Sequence, residues 1–197
     1  MKVLITGHKG FIGQNMIKAA QKEGWYIETF DIVDDPKVRP KDLNYDEIDT
    51  VIHLGAISST TETDIQKLMD LNLSWTVELL EQCLDRGVNM QFASSASVYG
   101  QNKNERILGE NDICYPVNYY ALSKYLFEQY TRNESIITIE VLCRFSDTLM
   151  STDLTKNTRV HRQVHTLSLP NKQKKLVLSM YLKVQTNLPA ILFMLIQ

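Results

Sequence analysis

The 197-residue chain is 44% hydrophobic and 22% charged, ordinary for a folded domain and long enough for one sizeable core with or without an appendage. A net charge of −2 excludes a general affinity for nucleic acid. Cys83, Cys114 and Cys143 are too widely spaced for a metal pattern, so no metal is expected and a reducing, cytoplasmic setting suits them. The first residues already read as a strand rather than a signal peptide, and the apolar run from Ala190 to Ile196 is short of the about 20 residues a bilayer needs, so no membrane partner is expected.

Lys2 to Thr6 is a short apolar run that predicts a buried strand. Gly7, Gly10 and Gly13 follow as a GxxGxxG turn enclosing Phe11 and Ile12. Helical spacing then runs from Asn15 to Glu23, and Gly24 is placed to end it. Strand, glycine turn and helix are the parts of a dinucleotide site. The first glycine permits the sharp turn, the second the close approach of a pyrophosphate, and the third the packing of helix on strand. Free N–H groups at the helix start then face the phosphates.

Tyr26 to Phe30 predicts a second strand, with Asp31 at its end where an acidic residue accepts hydrogen bonds from an adenosine ribose. The alternative is a turn aspartate before Pro36. Ile32 follows directly, and Lys37, Arg39 and Lys41 come next, either as partners for a 2′-phosphate or as a solvated loop. Asp42 and Leu43 are expected beside the adenine.

Thr50 to Ala56 predicts a third strand running into a tight turn, where Leu54, Gly55 and Ala56 would meet the cofactor. His53 lies inside this apolar run and reads as a packed core histidine. The polar loop from Ser58 through Ser59, Thr60 and Thr61 to Glu62 would face a polar substrate, or else supply a helix cap through Thr61 or Thr63. A long helix is expected from Asp64 to Arg86, stopped by Gly87, with Asn72 as a mid-helix residue that has a polar task or points to solvent.

Met90 to Ala93 predicts the next strand, left through Ser94 and Ser95. A helix is expected from Val117 to Arg132, and Ile136 to Cys143 reads as a sixth strand. Strands alternating with helices predict an α/β fold: a Rossmann-type, doubly wound parallel sheet with sites at the carboxyl ends of its strands. On the helix expected from Val117 to Arg132, Tyr120 and Lys124 share a face one turn apart. An ammonium near a phenol favours the phenolate and yields an acid/base for neutral pH. Tyr99 and Lys103 have the same spacing; only the order of the whole set selects Tyr120.

That set resembles the extended short-chain dehydrogenase/reductase family of NAD(P)-dependent sugar-nucleotide epimerases and dehydratases. It is carried by the stretches Gly7 to Gly13, His53 to Ala56, Asn72 to Thr76, Ser94 to Gly100 and Tyr120 to Lys124. Within the family, the stretches Gly55 to Glu62, Phe92 to Ala96 and Ser123 to Tyr130 resemble the ADP-L-glycero-D-manno-heptose 6-epimerases. The resemblance implies Tyr120 as acid/base, Lys124 as its electrostatic helper and Ser95 as the residue binding the reacting oxygen. It implies a cofactor site shaped by Phe11, Ile12, Asp31, Leu54, Gly55, Ala56, Ile57, Ser58 and Asn72, reaching Tyr120 and Lys124, and substrate contacts from Ser59, Thr60, Glu62 and Ser95. The reaction implied is transient oxidation at C6 of a nucleotide-activated heptose followed by return of the hydride to the opposite face. Asp31 argues for NAD; the heptose subgroup is similar there and uses NADP, so NADP is expected, with NAD as the alternative. The partners implied are a nucleotide sugar and, as an option, a second copy of the chain.

The resemblance ends near Phe145, which sets a dinucleotide-binding domain at 1–144 apart from an atypical segment at 145–197. Residues 1–145 hold 14 basic and 21 acidic residues, residues 146–197 hold 7 and 2, and no glycine occurs after Gly109. A shifted reading frame near residue 145 accounts for these facts; a divergent, shortened substrate lobe is the alternative. The second catalytic lysine that the resemblance implies is not assigned to any residue here, Lys156 included. Two other functions stay open: a different sugar-nucleotide epimerase or dehydratase, and a dinucleotide-binding remnant without catalysis.

Overall fold

A computed structural model describes residues 1–100, 112–133 and 139–142. Five parallel strands form one sheet: β1 (Lys2–Thr6), β2 (Tyr26–Phe30), β3 (Thr50–His53), β4 (Asn89–Ala93) and β5 (Ile139–Leu142), in the spatial order β2-β1-β3-β4-β5. The helices are α1 (Phe11–Lys22), α2 (Ile65–Met69), α3 (Trp75–Arg86) and α4 (Tyr119–Asn133). Among the described residues, no helix is long and apolar enough to cross a membrane.

Strand alternation divides the interior in two. Val3 and Ile5 of β1 and Ile52 of β3 pack with Met16 and Ile17 of α1 on one face. Leu4, Val51, Met90 and Phe92 point the other way, against Leu79, Leu80 and Cys83 of α3 and Phe127 of α4. Both faces are covered, so the strands read as nearly continuous apolar runs. This is the doubly wound, Rossmann-type arrangement that the alternation of elements predicts.

The chain moves outward from β1 to β2, then returns to place β3 on the other side of β1. The helices that follow β1 and β3 therefore pack on opposite faces of the sheet, α1 on one and α3 on the other. Such a reversal opens a crevice at the carboxyl edge, the usual ligand position in this fold.

Several elements differ from their sequence readings. Helix α1 begins at Phe11, not Asn15, because Gly10 is its N-cap and the glycine turn runs straight into the first helical turn. Gly24 does end it, in the left-handed region at φ +70°. The third strand stops at His53, and Leu54 N–H makes one further bond to Thr6 O of β1 at 3.0 Å before the loop. The strand near residue 140 is the fifth, not the sixth, of the described ones. The helix expected from Asp64 to Arg86 is interrupted by a π-turn at Asp70–Ser74. Its cap is Asp64, whose carboxylate accepts from Lys67 N–H at 3.0 Å, rather than Thr61 or Thr63. Lys103 and all residues beyond 142, including the segment 145–197 and Lys156, lie outside the described residues.

Candidate functional site

The glycine turn is tied to its surroundings at each glycine differently. Gly7 has φ +75°, and a Cβ there would lie 2.4 Å from Gly55 N, so the turns after β1 and β3 touch backbone to backbone. A Cβ on Gly13 would fall 2.2 Å from the Gly7 carbonyl oxygen and 2.7 Å from His8 Cα. Gly13 thus packs the helix on the turn itself rather than on the strand. Gly10 is the exception: among the described residues its Cβ would meet only Gly7 O, at 3.4 Å. Nothing among them requires a glycine there, whereas a pyrophosphate approaching the N-terminus of α1 would. The residues present therefore fit a dinucleotide. Phe11 and Ile12 flank this point with exposed side chains.

Asp31, buried at the end of β2, accepts from Lys9 N–H at 3.0 Å and from Val33 N–H at 3.1 Å. Its carboxylate holds the glycine turn as well as standing where a ribose hydroxyl is expected. Lys9 Nζ pairs with Asp34. Ile32 is half-buried in the turn that follows β2. Lys37 is exposed, and its N–H donates to the Asp35 carboxylate at 2.9 Å. Arg39 is occupied by Glu78 at 3.0 Å and Asp70 at 3.3 Å, which takes it away from a cofactor phosphate. Asp42 accepts from Arg39 N–H at 2.9 Å and closes a short 3-10 turn, while Leu43 packs on the α3-side core.

Beyond β3, Leu54 N–H donates to Thr6 O at 3.0 Å, and the loop carries Gly55, half-buried, with Ala56 and Ser58 exposed. Asn72 fixes this loop. Its Oδ1 accepts from Ile57 N–H at 2.8 Å; its Nδ2 donates to Ile57 O at 3.0 Å and to Ser123 Oγ at 3.2 Å. Asn72 is fully buried, so its mid-helix position serves a polar clamp between the β3 loop and α4. It sits in the π-turn, a feature common at functional sites. Thr76 Oγ1 donates to the Asn72 carbonyl at 2.9 Å.

His53 is indeed a core histidine. Its Nε2 lies 3.0 Å from Thr76 Oγ1 and its Nδ1 2.6 Å from Thr6 Oγ1. Because Thr76 already donates to Asn72, the network assigns the ring proton to Nε2. Burial, then the nearby Lys124 charge, lower its pKa from 6.5 to about 3, so the ring is neutral. It stacks on Trp75 and Phe92 at 5.5 and 6.0 Å between ring centres.

In the polar loop, Ser59 Oγ lies 3.2 Å from Thr61 Oγ1, and Thr60 is exposed. Glu62 accepts from the N–H groups of Thr63 and Asp64 at 2.8 and 2.9 Å. Its carboxylate therefore shapes the loop leading into α2. Ser95 is buried and caps a 3-10 turn (Ala96–Tyr99), accepting from Ser97 N–H at 3.2 Å; that turn packs against α4.

Tyr120 and Lys124 are both buried on α4, one turn apart. Lys124 Nζ stands 4.5 Å from the centre of the Phe92 ring. Burial lowers its pKa from 10.5 to about 7, against the opposing charge of Glu128. A buried lysine poised near neutrality beside a phenol-bearing turn is an arrangement for proton chemistry. The sequence reading assigned no role to Ser94, Glu128, Ser123, Thr6 or Thr76. A signal was present for one of them: Tyr120, Lys124 and Glu128 recur at four-residue steps along one helix face.

Comparison with known proteins agrees with this geometry. The model of the NAD dependent epimerase/dehydratase family matches residues 3–136. Among solved structures, a short-chain dehydrogenase/reductase superfamily protein from Agrobacterium tumefaciens with bound NAD is 24% identical, with TM-score 0.62 over 72% of this chain and 48% of that one. The Thermus thermophilus UDP-glucose 4-epimerase complex with NAD is 23% identical, with TM-score 0.59 over 71% and 53% of the two chains. MoeE5 in complex with UDP-glucose and NAD is 28% identical, with TM-score 0.58 over 66% and 47%. The chain thus spans about half the length of these proteins. The match over residues 3–136 contains the glycine turn, Asp31, the Asn72 clamp and the Tyr120–Lys124 pair, and the chain belongs to the NAD dependent epimerase/dehydratase family.

Proposed function

We propose that residues 1–144 are the dinucleotide-binding and proton-transfer part of a nucleotide-sugar epimerase, with residues 145–197 as a separate segment. The observation that carries the reading is the burial of Lys124, with its lowered basicity, one turn from Tyr120 and above the same sheet that ends in the glycine turn. The turn from Gly7 to Gly13 would hold the pyrophosphate and Asp31 the adenosine ribose. Leu54 to Ser58, kept in place by Asn72, would border the nicotinamide side. NAD is the better fit than NADP, because the buried Asp31 carboxylate repels a 2′-phosphate and Arg39 is occupied by Glu78 and Asp70. The dinucleotide, when bound, supplies hydride acceptance and return.

The chain's own residues would do the rest. Tyr120 would take the proton from the sugar hydroxyl that becomes a carbonyl and return it. Lys124, one turn away on α4, would be its electrostatic helper. Ser95 offers a hydroxyl to the reacting oxygen. Ser59, Thr60 and Glu62 lie on the loop proposed to contact the sugar. Within this class the heptose C6 substrate is the specific proposal, supported by the resemblance of the stretches Gly55 to Glu62 and Ser123 to Tyr130 to that subgroup. Incubating the full chain with NAD and either an ADP-heptose or a UDP-hexose tests it. Interconversion of the ADP-heptose epimers supports the proposal. Turnover of the UDP-hexose alone replaces the substrate, and NAD binding without either reaction leaves a binding protein.

A further inference from the structure

Glu128 follows Lys124 by one helical turn and is 3% exposed. A carboxylate in an apolar layer is costly unless it is paired and hydrogen-bonded. Here the Ser94 hydroxyl donates to its Oε1, and Ser94 is itself buried. Ser94 is the first residue beyond β4 and immediately precedes Ser95. Opposite the carboxylate's own element, Phe92 offers its ring face to Lys124 Nζ. The ionisable groups coupled to Lys124 among the described residues are Glu128 on α4 and, on β3, His53, which burial keeps neutral; Tyr120 lies one turn back on α4. Glu128 is the group whose charge favours the Lys124 ammonium against burial.

We infer that Glu128 is a positioning residue: anchored by the Ser94 hydroxyl and buried one helical turn from Lys124, its carboxylate supplies the negative charge that keeps Lys124 protonated and ties α4 to the strand end that carries Ser95. This role rests on the reading of Tyr120 and Lys124 as the proton-transfer pair. Three features of one site meet in it. The helix face is set by four-residue spacing, the strand end is set by β4, and the carboxylate joins them across the buried layer.

The test is a pH titration of the full chain with 15N-labelled lysine side chains, the Lys124 Nζ signal being identified by its loss in Lys124→Met. The wild type should titrate near neutrality. Glu128→Gln keeps the size and an acceptor for Ser94 but removes the charge, and should move the Lys124 midpoint down by about 1 pH unit or more. Glu128→Asp should restore at least half of that shift. A smaller shift in a Glu128→Gln protein that still melts cooperatively would overturn the inference. Should that variant not fold, 13C-labelled glutamate in the wild type decides: the Glu128 carboxyl signal must move at the Lys124 midpoint, and a stationary signal overturns the inference. NAD titration alongside separates the two readings. Failure of the wild type to bind NAD removes the proton-transfer reading, whereas an uncoupled Lys124 in a chain that binds NAD removes the Glu128 role alone.

Discussion

Two glycines three residues apart should respond oppositely to a side chain. At Gly13 a Cβ would stand 2.2 Å from the Gly7 carbonyl oxygen and 2.7 Å from His8 Cα. The turn cannot yield easily: Gly7 N–H is bonded to Phe30 O at 2.9 Å, and Gly7 rests against Gly55. Helix α1 must then lift off the turn. Overpacking of this kind costs about 3 kcal/mol at the upper end of its usual range. Alanine recovers about 1 kcal/mol of helix propensity, so Gly13→Ala should lose about 2 kcal/mol, a drop in Tm of about 4–8 °C. At Gly10, φ is −68° and the nearest atom to a Cβ is 3.4 Å away. Gly10→Val should cost only the poorer cap, about 1 kcal/mol, yet occupy the approach of the pyrophosphate and weaken NAD binding at least about tenfold. Thermal melts and calorimetric titration with NAD check both variants. The reasoning is refuted if Gly13→Ala melts with the wild type, or if Gly10→Val keeps wild-type NAD affinity.

Tyr120→Phe should leave NAD affinity within about twofold and abolish sugar oxidation, since it removes only the ionisable oxygen; an equal loss in Tyr99→Phe would show the wrong pair was chosen. Asn72→Leu leaves the N–H and C=O of Ile57 without their buried partner and should cost about 2–4 kcal/mol, read as a fall in the urea midpoint with unchanged slope. Arg39→Ala should leave the preference between NAD and NADP unchanged while costing up to about 1 kcal/mol; a changed preference would return Arg39 to the cofactor site. Stability should rise with pH in two windows. His53 is held at about 3 in the fold against 6.5 unfolded, so the unfolded chain binds more protons and stability is lost as pH falls below about 6.5. Lys124, at about 7 against 10.5, gives the same sign between those values. Urea melts from pH 4.5 to 6.5 should show a slope of about 1 kcal/mol per unit that flattens in His53→Asn; a wild type with no slope contradicts the buried neutral ring.

The glycine turn was legible because a motif and its flanking strand and helix sit within one short stretch. The start of α1 was not: apolar periodicity begins at Asn15, but the helix begins at Phe11, where the backbone rather than the side chains decides. Asn72 announced a polar task by standing mid-helix, but the π-turn that accompanies it leaves no mark in apolar spacing. Thr61 and Thr63 offered themselves as caps, and Asp64 takes the role because its carboxylate reaches Lys67 N–H. Arg39 read as either a phosphate partner or a solvated side chain, and it is neither, because α3 brings Glu78 across the fold to it. Long-range pairing of this sort, like the meeting of Ser94 with Glu128, exists only once the sheet order is known.

The most direct test of the account is a calorimetric titration of the full chain with NAD and with NADP. Saturable NAD binding in the micromolar range, at least about tenfold tighter than NADP, lost in Gly10→Val and kept in Tyr120→Phe, is the predicted result. A chain that folds cooperatively yet takes up neither dinucleotide at millimolar concentration would contradict it.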